Sequence, residues 1–381
     1  MRIDIATLFT QMCDSVLSTS IIGRAVEGGH IEIHTHDIRL YTENKHRRVD
    51  DKPYGGGTGM VMQAQPVYDC VKAIIAQHKT KPRVIYMSPQ GEVLTQAKVV
   101  ELAAEDGLIL LCGHYEGMDQ RVLDELGCEE LSVGDYVLTG GELPALIVAD
   151  AVARMQKGVL PNEDAYSIES HFGGLLEYPQ YTRPEVWRGR EVPEVLLCGS
   201  HKAVADWQRS AALRVTAQKR PDMHEKYLRE LTRSFWQGFI ESKCLPQDTA
   251  FSQCVRFGAD ERESSLLLKL VMRGKKRVTI SSLTGCEIIG GNQPQQGEYR
   301  IVTDWDGIPR CVIQTARVRV IPFRDITLEI FSRDGGFDSL EAWRESRERL
   351  FTEEGARLGY AFTEDAPMIV EEFRTVYKVS G

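Results

Sequence analysis

A glycine-rich loop lies at Ser132-Val133-Gly134-Asp135-Tyr136-Val137-Leu138-Thr139-Gly140-Gly141-Glu142-Leu143-Pro144, between an apolar run and a predicted helix. Its three glycines let the backbone approach a flat ligand closely while the flanking elements stay rigid. Pro89-Gln90-Gly91 and Gly113-His114-Tyr115-Glu116-Gly117 lie upstream, and each also follows an apolar run. The pattern allows two interpretations, three ordinary turns or one ligand site built from three loops.

The N-terminal part has the pattern of an α/β domain. Apolar β-rich runs alternate with helical patterns through about the first 155 residues, which predicts a mostly parallel sheet covered by helices. The predicted strands are 3–8, 31–36, 83–87 and 108–112, and the predicted helices are 66–76, 95–104 and 142–155. Ligands of such sheets bind at the carboxyl ends of the strands, which is where the three loops follow Met87, Cys112 and Val133.

The pattern changes twice in the rest of the chain. Residues 158–184 lack periodicity, are rich in Gly, Pro, Tyr and acids, and are typical of a long functional linker. Helices are predicted at 202–218 and 226–239. Short strands at 278–281, 297–303 and 310–321 and a charged helix at 340–351 then predict a separate α+β or small-barrel module of about 130 residues.

Composition excludes several classes of protein. A net charge of −9 argues against a broadly basic nucleic-acid coat, although it allows a local basic face. No apolar run approaches the roughly 18–20 residues of a membrane helix. The nine cysteines include no CxxC pair, so we expect reduced thiols in a cytoplasmic protein and no zinc ribbon.

Four further segments each allow two interpretations. The glycine loop from Asp50 to Met60 is either a phosphate cradle or a surface loop. His34-Thr35-His36 is better explained by strand alternation than by a metal site. The acids between Glu163 and Glu169 supply either a general base or a solvated loop. Gly274-Lys275-Lys276-Arg277-Val278-Thr279 is either an RNA phosphate site or a charged turn.

Residues 1 to about 245 resemble bacterial tRNA (guanine-N1)-methyltransferases, the TrmD family. The resemblance rests on several long motifs in the same order. They are Val49-Asp50-Asp51-Lys52-Pro53-Tyr54-Gly55-Gly56-Gly57, Ser88-Pro89-Gln90-Gly91, Cys112-Gly113-His114-Tyr115-Glu116-Gly117, the opening loop, Asp150-Ala151-Val152-Ala153-Arg154 and Gly174-Leu175-Leu176-Glu177-Tyr178-Pro179-Gln180-Tyr181-Thr182-Arg183-Pro184.

The resemblance implies a trefoil-knotted, mostly parallel α/β fold of the SPOUT class, followed by a small helical domain that binds tRNA. It also implies a homodimer with each active site at the subunit interface, and S-adenosylmethionine bound in a bent shape among the three loops. The implied contacts are Tyr86, Ser88, Pro89, Gly91, Gly113, Tyr115, Glu116, Val133, Gly134, Asp135, Tyr136, Val137, Leu138, Gly140, Gly141 and Pro144.

The implied reaction moves a methyl group to N1 of guanosine 37, next to the tRNA anticodon. N1 carries a proton, so the transfer needs a base, and the guanine must leave its stack. Arg154 is implied to hold the guanine or to assist charge on O6. The family's base is an Asp in the linker. Spacing places Glu169 there, with Asp164 as the competing base because Glu163-Asp164-Ala165-Tyr166 resembles the family's local run.

The family resemblance also implies partners for the reaction. The family's dependence on magnesium is carried over as a possible Mg²⁺ requirement, although no motif marks a dedicated metal site. The anticodon arm is expected to meet a basic face on the predicted helices, formed by Lys202, Arg209, Arg214, Lys219 and Arg220.

Residues from about 251 to 381 resemble ASCH domains, which are PUA-like β-barrels associated with RNA. The match is Gly274-Lys275-Lys276-Arg277-Val278-Thr279, Val320-Ile321-Pro322-Phe323, Leu340-Glu341-Ala342-Trp343-Arg344 and Glu372-Phe373-Arg374. Some relatives are amidohydrolases that use a Lys, a Thr and a Glu. Lys276 and Thr279 align with the first two, and Asp334-Gly335 stands where the Glu is expected. We expect RNA docking in preference to a second activity.

These observations predict four segments: a knotted domain that binds S-adenosylmethionine (1–160), a linker (161–176), a helical tRNA-binding domain (177–246) and an ASCH-like domain (251–381). The predicted function is methylation of tRNA guanosine 37 at N1. Two alternatives stay open at this point, a non-catalytic tRNA-binding knot protein and a bifunctional enzyme with an ASCH amidohydrolase activity.

Overall fold

A computed structural model describes residues 1–160, 166, 169–337 and 339–378. The chain forms two compact units, Met1–Gly173 and Gly174–Gly381. In the described residues, no helix is both long enough and apolar enough to span a membrane.

The first unit is an α/β sandwich. Its strands are β1 (Arg2–Thr7), β2 (Glu32–Asp37), β3 (Asp50–Asp51), β4 (Val61–Met62), β5 (Arg83–Val93), β6 (Gly107–Cys112) and β7 (Glu129–Ser132). Its helices are α1 (Thr10–Leu17), α2 (Ser20–Glu27), α3 (Ala64–Ile75), α4 (Gln96–Ala103), α5 (Gln120–Leu126) and α6 (Glu142–Ala153), with a 3₁₀ turn at Ile38–Tyr41. The minor strands β3 and β4 pair with each other, and Met62 of β4 also forms an isolated bridge to Met118.

The main sheet has the order β2-β1-β6-β5-β7, and all of its pairings are parallel. Every residue of the central strand β6 is buried. Its side chains alternate between two cores, with Leu108 and Leu110 in one and Ile109 and Leu111 in the other. Burial on both faces explains the uninterrupted apolar run and confirms the predicted parallel sheet covered by helices.

Strand β5 is longer than the predicted 83–87. It continues to Val93, but its register against β7 shifts between Met87 and Glu92. The segment predicted as a loop after Met87 is therefore a bulge inside a strand. Gly91 lies so close to the Glu130–Leu131 backbone that a Cβ atom there would overlap it, and such bulges aim neighbouring side chains out of the sheet.

The second unit combines two long helices with a curled sheet. Its strands are β8 (Val186–Trp187), β9 (Arg190–Glu191), β10 (Gln253–Val255), β11 (Val278–Ser282), β12 (Tyr299–Thr303), β13 (Pro309–Pro322) and β14 (Pro367–Lys378). Its helices are α7 (His201–Lys219), α8 (Pro221–Lys243), α9 (Glu261–Met272), α10 (Leu283–Ile288), α11 (Leu328–Asp334) and α12 (Leu340–Leu358), with 3₁₀ turns at Glu194–Leu196 and Phe323–Asp325.

This second sheet has the order β10-β12-β13-β14-β11 and is mixed, since only β10 and β12 pair in parallel. Two register shifts along the β13–β14 pair increase the local twist and curl it into a half-barrel. On one side, Trp236 and Phe239 of α8 pack with Ile301 and Val312. The predicted α+β module with a PUA-like sheet is confirmed, and helix α8 shares a core with it.

Candidate active site

A pocket of about 240 Å³ opens beside the bulge that follows Met87 in β5 and at the carboxyl ends of β6 and β7. Its walls come from the three glycine-bearing segments that the sequence singled out. The predicted contact residues that line it are Tyr86, Ser88, Pro89, Gly113, Tyr115, Glu116, Val133, Tyr136, Val137, Leu138, Gly140, Gly141 and Pro144. The three segments thus converge, as the edge of a parallel sheet requires.

Three predicted contact residues do not line this pocket. Gly91 packs against the β7 backbone, while Gly134 and Asp135 belong to the turn that leaves β7. The Ser132 hydroxyl fixes that turn by donating to the Gly134 carbonyl at 3.0 Å. The lining residues that the sequence analysis missed are Met87, His114, Gly117, Leu131, Ser132 and Thr139. Four of them, His114, Gly117, Ser132 and Thr139, lie inside the quoted motifs, and Met87 and Leu131 lie one residue before a motif.

The second and third segments are joined through backbone. The Gly141 amide donates to the Gly113 carbonyl at 2.9 Å. A Cβ atom on Gly141 would lie 2.7 Å from the Cys112 Cα and 2.9 Å from the Gly113 nitrogen. No side chain fits between these backbones, so glycine at this position sets the pocket's depth.

Glu142 connects this pocket to the start of the chain. Its side chain is buried, accepts a hydrogen bond from the Thr7 hydroxyl at 2.7 Å, and lies 3.8 Å from the His114 ring nitrogen. It is in the first turn of α6, where the helix dipole favours negative charge. Glu142 therefore supports the pocket wall from behind.

The buried hydroxyl and thiol groups at the pocket remain protonated at neutral pH. Burial, and then the charge of Glu130, raises the pKa of Tyr86. Burial, and then the charge of Glu142, raises the pKa of the Cys112 thiol. Neither group is suited to accept a proton, so the pocket itself supplies no base from these two residues.

The two favoured catalytic residues contact each other. Arg154 follows the last turn of α6, and its Nη2 atom donates to both carboxylate oxygens of Glu169 at 2.8 Å. The side chains are 40% and 36% exposed, so a substrate has access to both. The competing base, Asp164, lies outside the described residues.

This ion pair and the pocket lie at opposite ends of helix α6. Pro144 lines the pocket, and Arg154 is ten residues further along the chain. At a rise of 1.5 Å per residue, the two are about 15 Å apart along the helix axis. One chain therefore does not bring its predicted catalytic pair to its own predicted cofactor pocket.

Sequence comparison identifies the family of this fold and site. Residues 1–226 match the family model described as "tRNA (Guanine-1)-methyltransferase TrmD". The chain belongs to this family. Residues 253–377 match the ASCH domain model.

Individual relatives show the same relationship. The protein of Ruminiclostridium cellulolyticum is 53% identical over 226 residues, which cover 59% of this chain and 97% of the relative. That of Clostridioides difficile is 49% identical over 227 residues, covering 59% of this chain and 98% of the relative. Both relatives are named tRNA (guanine-N(1)-)-methyltransferase. Since 59% of this chain accounts for nearly all of each relative, the ASCH domain is an addition that those two lack.

In the ASCH domain, Lys276 is a structural residue. Its ammonium group is buried and donates to the Val278 carbonyl at 2.9 Å, to the Asp334 carbonyl at 2.8 Å, and to the Asp334 carboxylate. Trp343 and Arg347 donate to the other carboxylate oxygen at 2.7 and 3.0 Å. All three protons of Lys276 are used. Lys276 therefore has no free proton for an RNA phosphate, and the geometry opposes the amidohydrolase alternative that needed this residue.

The paired histidines of β2 also have a structural explanation. His36 and His78 each place a ring nitrogen 2.7 Å from the fully buried carboxylate of Asp4, which Arg2 binds as well. His34 points to the exposed side of the strand and is half exposed. The structure explains this motif by strand alternation around a buried carboxylate.

The glycine loop after Asp51 lies beside the pocket. Residues 54–59 are exposed, and the Glu116 amide donates to the Met60 carbonyl at 3.0 Å. Glu116 also lines the pocket. The loop is thus a surface loop attached to the pocket's rim.

Proposed function

We propose that this chain transfers the methyl group of S-adenosylmethionine to N1 of guanosine 37 in tRNA. Methylation of a tRNA guanine at N1 is the activity for which its family is named. The observation that carries the proposal is the convergence of three glycine-bearing segments on one pocket at the carboxyl edge of a parallel sheet.

The pocket's chemistry suits an adenosine-bearing cofactor. Val133, Tyr136 and Leu138 offer apolar surface for a flat base, and the backbone groups of 133–141 offer hydrogen bonds to its edge. When bound, the cofactor supplies a methyl group on a positively charged sulfur. The residues around it position that methyl for an in-line displacement and contribute no covalent step.

Arg154 and Glu169 match the edge of guanine that reacts. Guanine presents the O6 acceptor directly beside the N1–H donor. In our proposal Arg154 turns from Glu169 to donate to O6, and the freed Glu169 carboxylate takes the N1 proton as N1 attacks the methyl carbon. Asp164 remains the competing base for this step.

We further propose a homodimer in which the second copy supplies Arg154 and Glu169 to the pocket of the first. Leu143, Ile147 and Arg154 lie within about 40° of one another around α6 at 3.6 residues per turn. Leu143 and Ile147 are 47% and 45% exposed although apolar. Helix α1 packs against α6, and the neighbouring Phe9, Met12 and Val16 are also exposed. Burying this apolar face against a second copy would cover Arg154 as well.

The remaining predicted partners fit this proposal to different extents. On α7, Lys202, Arg209 and Lys219 are exposed and face solvent, as a surface for the anticodon arm requires. Arg214 pairs with Glu261, and Arg220 pairs with Asp222. Since the substrate is tRNA, we place the enzyme in the cytoplasm.

The proposed reaction assigns no residue to a magnesium ion. Among the residues that the structure describes, no group of three or more His, Cys, Asp or Glu side chains is placed to hold a metal ion. No step of the proposed reaction therefore passes through magnesium.

The proposal is tested by methyl transfer from labelled S-adenosylmethionine to two tRNA transcripts that differ only in having guanosine or adenosine at position 37. We expect label in the guanosine transcript alone, recovered as N1-methylguanosine. Equal labelling of both transcripts, or of neither, would contradict the proposal.

A further inference from the structure

A groove of about 630 Å³ in the second unit is lined by five exposed cations, Lys243, Arg273, Arg277, Arg374 and Lys378. None of the described residues that line it is acidic. In a chain with a net charge of −9, this is a local concentration of positive charge. Concave, single-sign surfaces of this kind focus the field on an oppositely charged partner.

Core packing fixes the helices and the strand that carry these exposed cations. Tyr377 of β14 packs its ring 5.4 Å from Phe235 and 5.6 Å from Phe239, both on α8. The Thr375 hydroxyl donates to the Val271 carbonyl of α9 at 2.9 Å. The C-terminal ends of two helices are therefore fixed beside the last strand, and the groove lies where the three meet.

Among the residues that the structure describes, none of the five cations forms an ion pair, since no carboxylate there lies within 4.0 Å of any of them. Arg374 donates to the Gln314 side chain at 2.8 Å, and Arg277 donates to the Gly274 carbonyl. Lys243 and Arg273 lie at the C-terminal ends of helices, where the helix dipole favours a positive charge. The helix dipole does not explain why Arg277, or Arg374 and Lys378 on β14, also place positive charge in the groove.

We propose that this groove binds the sugar–phosphate backbone of the tRNA substrate, as a second contact beyond the basic face of α7. The inference rests on the proposed function, because that function makes tRNA the polyanion which this enzyme must hold. A concave row of cations suits a chain of phosphates, whereas peripheral membrane binding requires an apolar face that inserts among lipids. Tyr377 lines the same groove and offers an aromatic ring to a base or ribose.

The test uses the full chain and an unmodified tRNA transcript with guanosine 37. In the groove variant Arg273→Ala/Lys378→Ala, we expect the Kd for tRNA to rise about tenfold at low salt. The slope of log affinity against log salt should become shallower by about 1.4–1.8, since each lost phosphate contact contributes about 0.7–0.9. The rate at saturating tRNA and the affinity for S-adenosylmethionine should not change.

A matched control removes the same charge elsewhere in the unit. Arg349 and Arg357 of α12 are exposed, and no carboxylate of the described residues lies within 4.0 Å of them. Arg349→Ala/Arg357→Ala should leave Kd and salt slope at the wild-type values. If the groove variant melts early, Lys378→Glu at a single exposed position gives the same readout with a larger loss.

Three results would overturn the inference. They are wild-type affinity and slope in the groove variant, an equal loss in the control, and unchanged tRNA affinity with lost binding to phosphatidylserine vesicles. Failure of the proposed function gives a different result, because tRNA would then bind through the groove without any methyl transfer.

Discussion

A single guanidinium nitrogen of Arg154 donates to both carboxylate oxygens of Glu169, each at 2.8 Å. This contact joins the end of helix α6 to the linker that follows it. It keeps the favoured base next to the group proposed to bind guanine O6.

Glu169→Gln preserves the size of the side chain and one of the two acceptors for Arg154, but it cannot take a proton. We expect turnover to fall by about 10²–10⁴-fold, the usual contribution of a general base, while the Kd for S-adenosylmethionine stays within about twofold. Single-turnover methyl transfer with saturating tRNA measures this. If Asp164→Asn causes the loss and Glu169→Gln does not, Asp164 is the base.

Gly113→Val should close the cofactor pocket without straining the backbone. A Cβ atom at Gly113 would lie 2.7 Å from the Tyr86 hydroxyl, and both residues line the pocket. The Tyr86 ring must then move into the space that we assign to the cofactor. We expect calorimetry to show the loss of S-adenosylmethionine binding, with tRNA affinity unchanged. Wild-type cofactor affinity in this variant would place the cofactor elsewhere.

Because of Asp4, the free energy of unfolding should fall as the pH is lowered into the acid range. Burial by itself raises the pKa of Asp4, but hydrogen bonds from His36, Arg2 and His78 outweigh it and hold the pKa below its ordinary value. The folded state therefore favours the carboxylate, and this stability is present above the unfolded pKa of about 3.9. It is lost as pH falls from there through the folded pKa.

Urea unfolding between pH 7 and pH 3 measures this contribution. Asp4→Asn should lower the free energy of unfolding by about 3 kcal/mol at pH 7, because an amide nitrogen replaces one of the two buried oxygens that face Arg2, His36 and His78. The difference between variant and wild type should shrink towards pH 3. A pH-independent difference would show that the lost stability does not depend on ionised Asp4.

Lys276 should contribute to the stability of the fold and not to a hydrolytic activity. Lys276→Met leaves Asp334 buried with one fewer partner, and we expect the free energy of unfolding to fall by about 3–5 kcal/mol. Lys275→Met, at the exposed neighbouring position, should change it by less than about 0.5 kcal/mol. Normal stability in Lys276→Met, together with the loss of a hydrolytic activity on acylated nucleobases, would restore the amidohydrolase alternative.

The sequence predicted those parts of the fold in which the pattern of apolar residues along the chain matches the residues that are buried. The run Leu108-Ile109-Leu110-Leu111 is apolar on both faces because β6 is central. The alternation of strands and helices along the chain predicted a mostly parallel sheet. The extension of β5 was missed because Ser88-Pro89-Gln90-Gly91 has loop composition, and only its packing against β7 keeps it in the sheet.

The site residues also fall into two groups, those that the sequence located and those whose role depends on distant partners. Motif positions located most of the pocket, since consecutive strands of a parallel sheet end at one edge. The role of Lys276 was not visible in its basic segment, because its partner Asp334 is 58 residues away and only the fold brings them together. The assignments of cofactor contacts and of the base stay predictions.

In the homodimer that we propose, one working site takes its pocket from one copy and Arg154 with Glu169 from the other. Subunit complementation is the decisive test of this arrangement. Gly113→Val and Arg154→Ala proteins, each inactive alone, are unfolded together and refolded as a mixture. Random pairing makes half of the dimers mixed, with one intact site in two, so methyl transfer to guanosine 37 should return to about a quarter of the wild-type rate. If the mixture stays as inactive as its components, each site is built within one chain and the account is contradicted.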